Sequence, residues 1–218
     1  MCGRFSITKQ ESEIETRFNA KFYTNDYVKR YNIAPTQLVP AISIEATDQI
    51  YMFRWGLIPF WAKDPKIGNK MINARAEGVL ESKVYAKLMK KSRCIIPSDG
   101  FYEWKAMENY KQPIRIKRKD DELFGMAALY DTWVDKDKGQ TVNSFSIITT
   151  QANDLISEVH NRMPVILNKS DELKWLSNAT ATDELMSLLT PFNNDALELV
   201  PVSTLVNNPR NDTEDILL

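Results

Sequence analysis

With 218 residues, a formal net charge of -1, 43% hydrophobic and 26% charged residues, the chain has an ordinary folded-protein composition and length for one large core. Near-neutral charge argues against indiscriminate polyanion binding, two cysteines exclude a disulfide framework, and one histidine leaves a structural zinc site short of its usual ligands. No apolar run reaches the roughly 18 residues of a membrane span and no secretory leader is recognised, so no membrane, metal or other cofactor is expected, and a reducing cytoplasm is the expected compartment.

The chain opens Met1-Cys2-Gly3-Arg4. Cys2 is small enough to be compatible with removal of Met1, which leaves an α-amine and a thiol on adjacent carbons. Such a 1,2-aminothiol condenses with an aldehyde to an imine, and the thiol then closes a five-membered thiazolidine. Reference pKa values of about 7.7–8.0 for the amine and about 8.5 for the thiol give both groups reactive forms near neutrality. Thr8 and Glu11 have capping-box spacing, and Ile14, Phe18 and Phe22 recur at i, i+4 intervals, which predicts a helix over 9–21. Residues 38–44 and 50–55 read as two strands around a polar turn at 45–49. Residues 56–80, punctuated by glycine and proline, form an irregular segment of a length that is more often functional than filler.

A short helix follows over 82–92, then strands over 93–97, 113–118, 123–130, 142–149 and 197–203, with 135–139 as a tight connection. Short helices are expected over 153–159, 171–176 and 183–189, and 207–218 reads as a tail. Regular βαβ alternation is absent, so the expected fold class is α+β, a single mixed domain over 1–206 with mainly antiparallel strands and peripheral helices.

Several segments carry candidate chemistry. Residues 54–93 hold ten Lys/Arg against three Asp/Glu, whereas 171–218 hold two against nine, so one basic face can attract phosphate while the total stays near zero. Trp55 and Trp61, in Trp55-Gly56-Leu57-Ile58-Pro59-Phe60-Trp61, are ring surfaces for unstacked bases, or else core material. Asn73 and Arg75 share a face if extended, an amide for a sugar oxygen beside a guanidinium for phosphate; an Arg75–Glu77 salt bridge is the competing account. Glu103 lies between Tyr102 and Trp104, where partial desolvation raises a carboxyl pKa toward proton donation near neutrality. His160 is the only side chain whose unperturbed pKa lies near neutrality, although it equally suits a helix C-terminus. Cys94 reads as a small buried apolar residue.

These segments, in order, resemble the SRAP family, the SOS response-associated peptidases or abasic-site processing proteins. The resemblance runs through Met1-Cys2-Gly3-Arg4-Phe5, Tyr31-Asn32-Ile33-Ala34-Pro35, the Trp55–Pro59 block and Ile72-Asn73-Ala74-Arg75-Ala76-Glu77. It continues in Arg93-Cys94-Ile95-Ile96-Pro97, Gly100-Phe101-Tyr102-Glu103-Trp104, His160-Asn161-Arg162-Met163-Pro164 and Pro201-Val202-Ser203. It implies curved antiparallel β-structure around a groove for single-stranded DNA containing abasic sites, which is the expected partner. It further implies that Cys2 joins the ring-opened abasic sugar in a thiazolidine. Asn73 then positions the sugar, Glu103 sits beside the terminal amine, and His160 transfers protons. Arg4 and Arg75 match phosphate-facing arginines, Trp55 and Trp61 the wall for flanking bases, and Arg162 completes the DNA-binding set.

Two other classes compete. An N-terminal-nucleophile amidohydrolase or autopeptidase needs an oxyanion hole and a closed acyl pocket, for which the sequence has no clear signal. A non-covalent single-stranded DNA-binding module needs only the groove. Lyase chemistry through the imine is compatible with the first reading, and one chain suffices for it, so a monomer is expected.

Overall fold

The computed structural model describes residues 2–136 and 138–218. The expected removal of Met1, and part of the connection expected over 135–139, lie outside them. The strands in chain order are β1 (Phe5–Ile7), β2 (Lys21–Phe22), β3 (Arg30–Ile33), β4 (Leu38–Ser43), β5 (Ala46–Trp55), β6 (Asn73–Arg75), β7 (Arg93–Ser98), β8 (Gly100–Ala106), β9 (Lys111–Arg118), β10 (Phe124–Asp135), β11 (Gln140–Gln151), β12 (Arg162–Pro164), β13 (Ile166–Leu167) and β14 (Leu197–Pro201). The α-helices are α1 (Glu11–Phe18), α2 (Tyr85–Lys91), α3 (Asp154–Ser157), α4 (Lys169–Trp175) and α5 (Thr182–Ser187).

Strands β11, β10, β7, β4 and β5 pair in succession, all antiparallel, and a parallel pairing of β5 with β11 at Arg54–Trp55 and Ser144–Phe145 closes the ring. Closure leaves no unpaired edge within the ring, and its interior is filled by side chains such as Phe53, Trp55, Phe145 and Ile147. A second, antiparallel sheet runs in the order β14-β9-β8-β1-β3 and shares the same apolar core, which reaches from Phe5 and Phe101 to Leu129 and Ile147. The α+β expectation therefore holds, with helices on the periphery. No helix among the described residues is long and apolar enough to cross a membrane.

Local chemistry shifts some expected boundaries. Helix α1 starts at Glu11 because the Gln10 N–H donates to the Glu13 carboxylate at 2.7 Å, while Thr8 turns its hydroxyl to Asp99 at 2.7 Å. It stops at Phe18 because Asn19 adopts the left-handed conformation, φ 50°. The β4–β5 turn is tighter than expected, since Ser43 already pairs with Ala46. Residues 56–80 are not wholly irregular, for β6 adds to β11 in parallel there. At Gly56, φ 111°, a side chain would lie 2.5 Å from the Gly68 carbonyl oxygen, so two glycine backbones in close approach fold this segment over the barrel end.

The final residues, read as a tail, lie against the second sheet. Ile216 is fully buried with Tyr102, Val202 and Val206. The Asp212 carboxylate accepts the Tyr31 and Asn32 N–H groups at 2.6 and 2.8 Å and pairs with Arg30.

Candidate active site

Residues 2–4 lead into β1 of the second sheet. Strand β1 runs antiparallel to β8, with Phe5 opposite Phe101 and the Tyr102 N–H donating to the Arg4 carbonyl at 2.9 Å. That pairing carries residues 2–4 along the part of β8 that bears Glu103. From the opposite side, β6 presents Asn73, whose Nδ2 donates to the Cys2 carbonyl at 2.9 Å. Cys2 is completely buried. Asn73 is held through its backbone: it pairs with Ile147 of β11, and the Tyr85 hydroxyl, 3.1 Å from that of Ser146, lies 3.5 Å from the Asn73 carbonyl. The Asn73 Oδ1 is buried with no hydrogen-bond partner among the described residues, an acceptor poised for a donor from outside.

Burial sets the protonation states. The Cys2 thiol is pushed well above the ordinary thiol range by desolvation and further by the Glu103 charge, which places the two groups within electrostatic reach. Glu103, 4% exposed, is pushed up to about 7 by desolvation, against the pull of the terminal positive charge. His160 follows α3, its N–H bonded to the Ile156 carbonyl at 2.9 Å; burial and the same terminal charge lower its pKa, so the ring is neutral at pH 7. A Lys105–Glu158 contact at 3.6 Å ties β8 to the end of α3. Cys2 thus meets the Asn73 amide and lies within electrostatic reach of Glu103, and the His160 ring feels the same terminal charge as Glu103.

The family model for SOS response associated peptidase (SRAP) matches residues 1–209. The chain belongs to the SRAP family. It is 42% identical over 222 residues to the abasic site processing protein YoqW of Bacillus subtilis, covering 100% of this chain and 99% of that one. It is 33% identical to the abasic site processing protein HMCES of Gallus gallus, covering 88% of this chain and 66% of that one. It also superposes with a TM-score of 0.91 on the crystal structure of a Bacteroides thetaiotaomicron protein, 31% identical, covering 99% of this chain and 98% of that one.

The residues expected to touch DNA in this SRAP chain divide into two groups. Arg75 is exposed and makes no hydrogen bond or ion pair among the described residues. Trp61 is 56% exposed, and with Phe60, Lys63, Trp133 and Lys136 it lines a concavity of about 470 Å³. Trp55 is not part of that wall. It is completely buried, tilted against Phe5, stacked with Phe145, and donates Nε1–H to the Ile72 carbonyl at 3.0 Å. The last position of β5 pairs with Phe145 of β11, which turns Trp55 into the barrel, whereas Trp61 follows the Gly56 bend outward.

Two arginines are also committed within the protein. Arg4 donates through one nitrogen to Asn32 Oδ1 and the Val206 carbonyl, each at 2.6 Å, and lies over the Trp104 ring. Arg162 grips Glu77 with two nitrogens at 2.6 and 2.9 Å, so Glu77 pairs with Arg162 and not with Arg75. Sequence reasoning missed Glu77, Asn32 and Asp99 as organising residues. Asn32 and Glu77 lie inside matching blocks, but only tertiary contacts give them work.

Glu103 generates a stability prediction. Its native pKa of about 7 exceeds the unfolded value, so the native state binds more protons between the two, and stability falls as pH rises from about 4.3 through 7. Replacing Glu103 by Gln removes this penalty. The variant should gain about 1–3 kcal/mol relative to wild type between pH 5 and pH 8. Urea unfolding at both pH values measures it, and equal differences at the two would show that Glu103 ionises freely in the native state.

Proposed function

We propose that this SRAP chain processes abasic sites in single-stranded DNA by forming a covalent adduct between Cys2 and the abasic sugar. The observation that carries the reading is the full burial of Cys2 against Glu103 with its carbonyl held by Asn73. A residue spent only on packing needs neither an adjacent carboxyl titrating near pH 7 nor an amide with an unfilled acceptor. The names of the curated relatives, abasic site processing proteins, point to the same substrate.

The chemistry follows from the protonation states. With Met1 removed, the Cys2 α-amine attacks the C1′ aldehyde of the ring-opened deoxyribose. Its ordinary pKa lies within about a unit of that of Glu103, so the carboxylate can take the ammonium proton at little cost. The carbinolamine loses its hydroxyl as water, with Glu103 returning the proton, and leaves an iminium at C1′. Burial keeps the Cys2 thiol protonated, so the amine acts first and sulfur second. Sulfur then bonds to C1′, the C=N bond becomes single, and the thiol proton passes to the Glu103 carboxylate. One water is lost overall, and ring closure is intramolecular, which favours it by proximity. Asn73, with Nδ2 on the Cys2 carbonyl and Oδ1 open, suits a sugar hydroxyl donor. The iminium also permits β-elimination of the 3′ phosphate, and lyase activity belongs to this proposal on that ground.

The strand is held by other groups. Exposed Trp61 and Phe60 suit stacking by flanking bases, worth about 1–3 kcal/mol per base. Arg75 and the exposed lysines 63, 66, 70, 83, 87, 90 and 91 suit phosphates. A thiol peptidase requires a thiolate, which burial of Cys2 disfavours; peptidase action on the chain's own start remains open to the same assay. One chain suffices, which fits a monomer.

Intact-mass measurement of Met1-free protein with an abasic oligonucleotide is the direct test. A species at the summed mass less one water that survives denaturation is expected, with none surviving for C2A, whose imine cannot close on sulfur and hydrolyses; the absence of adduct from Met1-free wild type would reject the proposal. For Arg75, R75A should weaken binding to an intact single strand severalfold at low salt and reduce the slope of log affinity against log salt by about 0.7. Fluorescence anisotropy over a salt series checks it, and an unchanged slope would take Arg75 off the phosphate path.

A further inference from the structure

Glu77 has no part in the chemistry above, yet it is joined to it through one residue. Its carboxylate accepts from both terminal nitrogens of Arg162, at 2.6 and 2.9 Å, and one of those nitrogens also donates to the Thr149 carbonyl at 2.6 Å. The guanidinium is thereby clamped between the segment after β6 and strand β11. Arg162 heads β12, pairing with Gln151, so the clamp fixes its peptide as well as its side chain. That peptide meets the imidazole: the Arg162 N–H donates to His160 Nδ1 at 3.0 Å, and the Arg162 carbonyl lies 3.3 Å from the same nitrogen.

A backbone N–H can only donate, so the shorter contact requires an unprotonated Nδ1, and the neutral ring must carry its proton on Nε2. When the ring is charged, Nδ1 becomes a donor and the carbonyl of the same residue stands within reach. One clamped residue thus offers a partner to Nδ1 in both protonation states of the ring.

We propose that Glu77 is a positioning residue: by forking Arg162 it holds the residue-162 backbone against Nδ1 and fixes His160 as the Nε2–H tautomer. In that tautomer Nε2 keeps its hydrogen and serves as a hydrogen-bond donor to an oxygen of the bound sugar, and not as a base. Arg162 accordingly acts as the link in this chain, with its charge balanced by Glu77. The competing account is that the ion pair merely staples β12 to the barrel.

His160 is the only histidine in the chain, so its imidazole nitrogens can be observed without assignment ambiguity. In uniformly ¹⁵N-labelled wild-type protein above the His160 titration, one-bond and two-bond ¹H–¹⁵N spectra should show a pyridine-like Nδ1 and a pyrrole-like Nε2. In E77A the two nitrogen shifts should move toward each other as tautomers interconvert, and E77D, which restores the charge, should recover much of the wild-type pattern. A wild-type Nδ1–H tautomer, or an E77A pattern identical to wild type, would overturn the proposal. Should E77A fail to give a folded spectrum, the same comparison with E77Q decides.

The kinetic arm rests on the reading of abasic-site crosslinking. At saturating abasic oligonucleotide, E77A should form adduct about ten-fold more slowly with no loss of DNA affinity. An unchanged rate at saturation would refute the positioning role, as would a loss confined to affinity. If wild type forms no adduct while the tautomer pattern responds to Glu77 as expected, the function falls and the tautomer assignment stands.

Discussion

The candidate site depends on one constraint: Cys2 is completely buried on the run into β1 of the second sheet, against β6, which pairs with β11 of the barrel. A chain start is ordinarily the least ordered part of a domain, and holding it inside requires its polar groups to find partners. The Asn73 amide on the Cys2 carbonyl is one such partner, and the Tyr102–Arg4 backbone bond is the next. The same burial then acts on three titrating groups at once. It raises the Cys2 thiol, raises Glu103 to about 7 and lowers His160, in each case because a poorly solvating surrounding disfavours charge. A site of neutral or nearly balanced acids and bases results, in which protons move at low cost near pH 7. Burial thus both holds Cys2 and shifts the protonation of Glu103 and His160.

Holding β1 in register is work shared by distant parts of the chain. Asp99, 5% exposed, accepts from the Ser6 hydroxyl at 2.7 Å, from Thr8 and from Arg115 at 2.8 Å, which pins the far end of β1 to the start of β8. On the other side Asn32 of β3 takes Arg4 and donates to the carbonyls of Asn208 and Asn211, at 3.1 and 2.7 Å. The last residues of the chain therefore brace β3, and β3 braces β1. Arg4 belongs to this bracing network, and its buried guanidinium is better described as a clamp than as a free cation for phosphate.

Much of the site was legible in the sequence because its chemistry is local to residue types: an aminothiol at the start, a carboxyl between aromatics, a single histidine. The apolar runs of 93–97, 123–130 and 142–149 likewise predicted strands, and these lie in β7, β10 and β11 of the barrel. Strand β8 is absent from the expected strands, since its aromatic run Phe101-Tyr102-Glu103-Trp104 lacks polar alternation; it is a strand buried through Glu103. Trp55 and Trp61 look equivalent in sequence, and only the closure of β5 on β11 and the Gly56–Gly68 contact send one inward and the other out. Glu77 meets Arg162 85 residues away, and Asp99 meets Ser6 and Thr8 93 and 91 residues away, beyond any periodicity.

The central claim is that both the nitrogen and the sulfur of Cys2 bond to the same sugar carbon. Met1-free protein would be reacted with an abasic single strand, denatured, treated with iodoacetamide and digested with nuclease and protease. Mass spectrometry of the peptides then reads each cysteine, with Cys94 as the internal standard for complete alkylation. The account predicts that the N-terminal peptide carries the sugar remnant at the mass of one lost water and takes no alkyl group, while Cys94 is fully alkylated. A sugar-bearing N-terminal peptide whose Cys2 is still alkylated, or a sugar attached elsewhere, would contradict it.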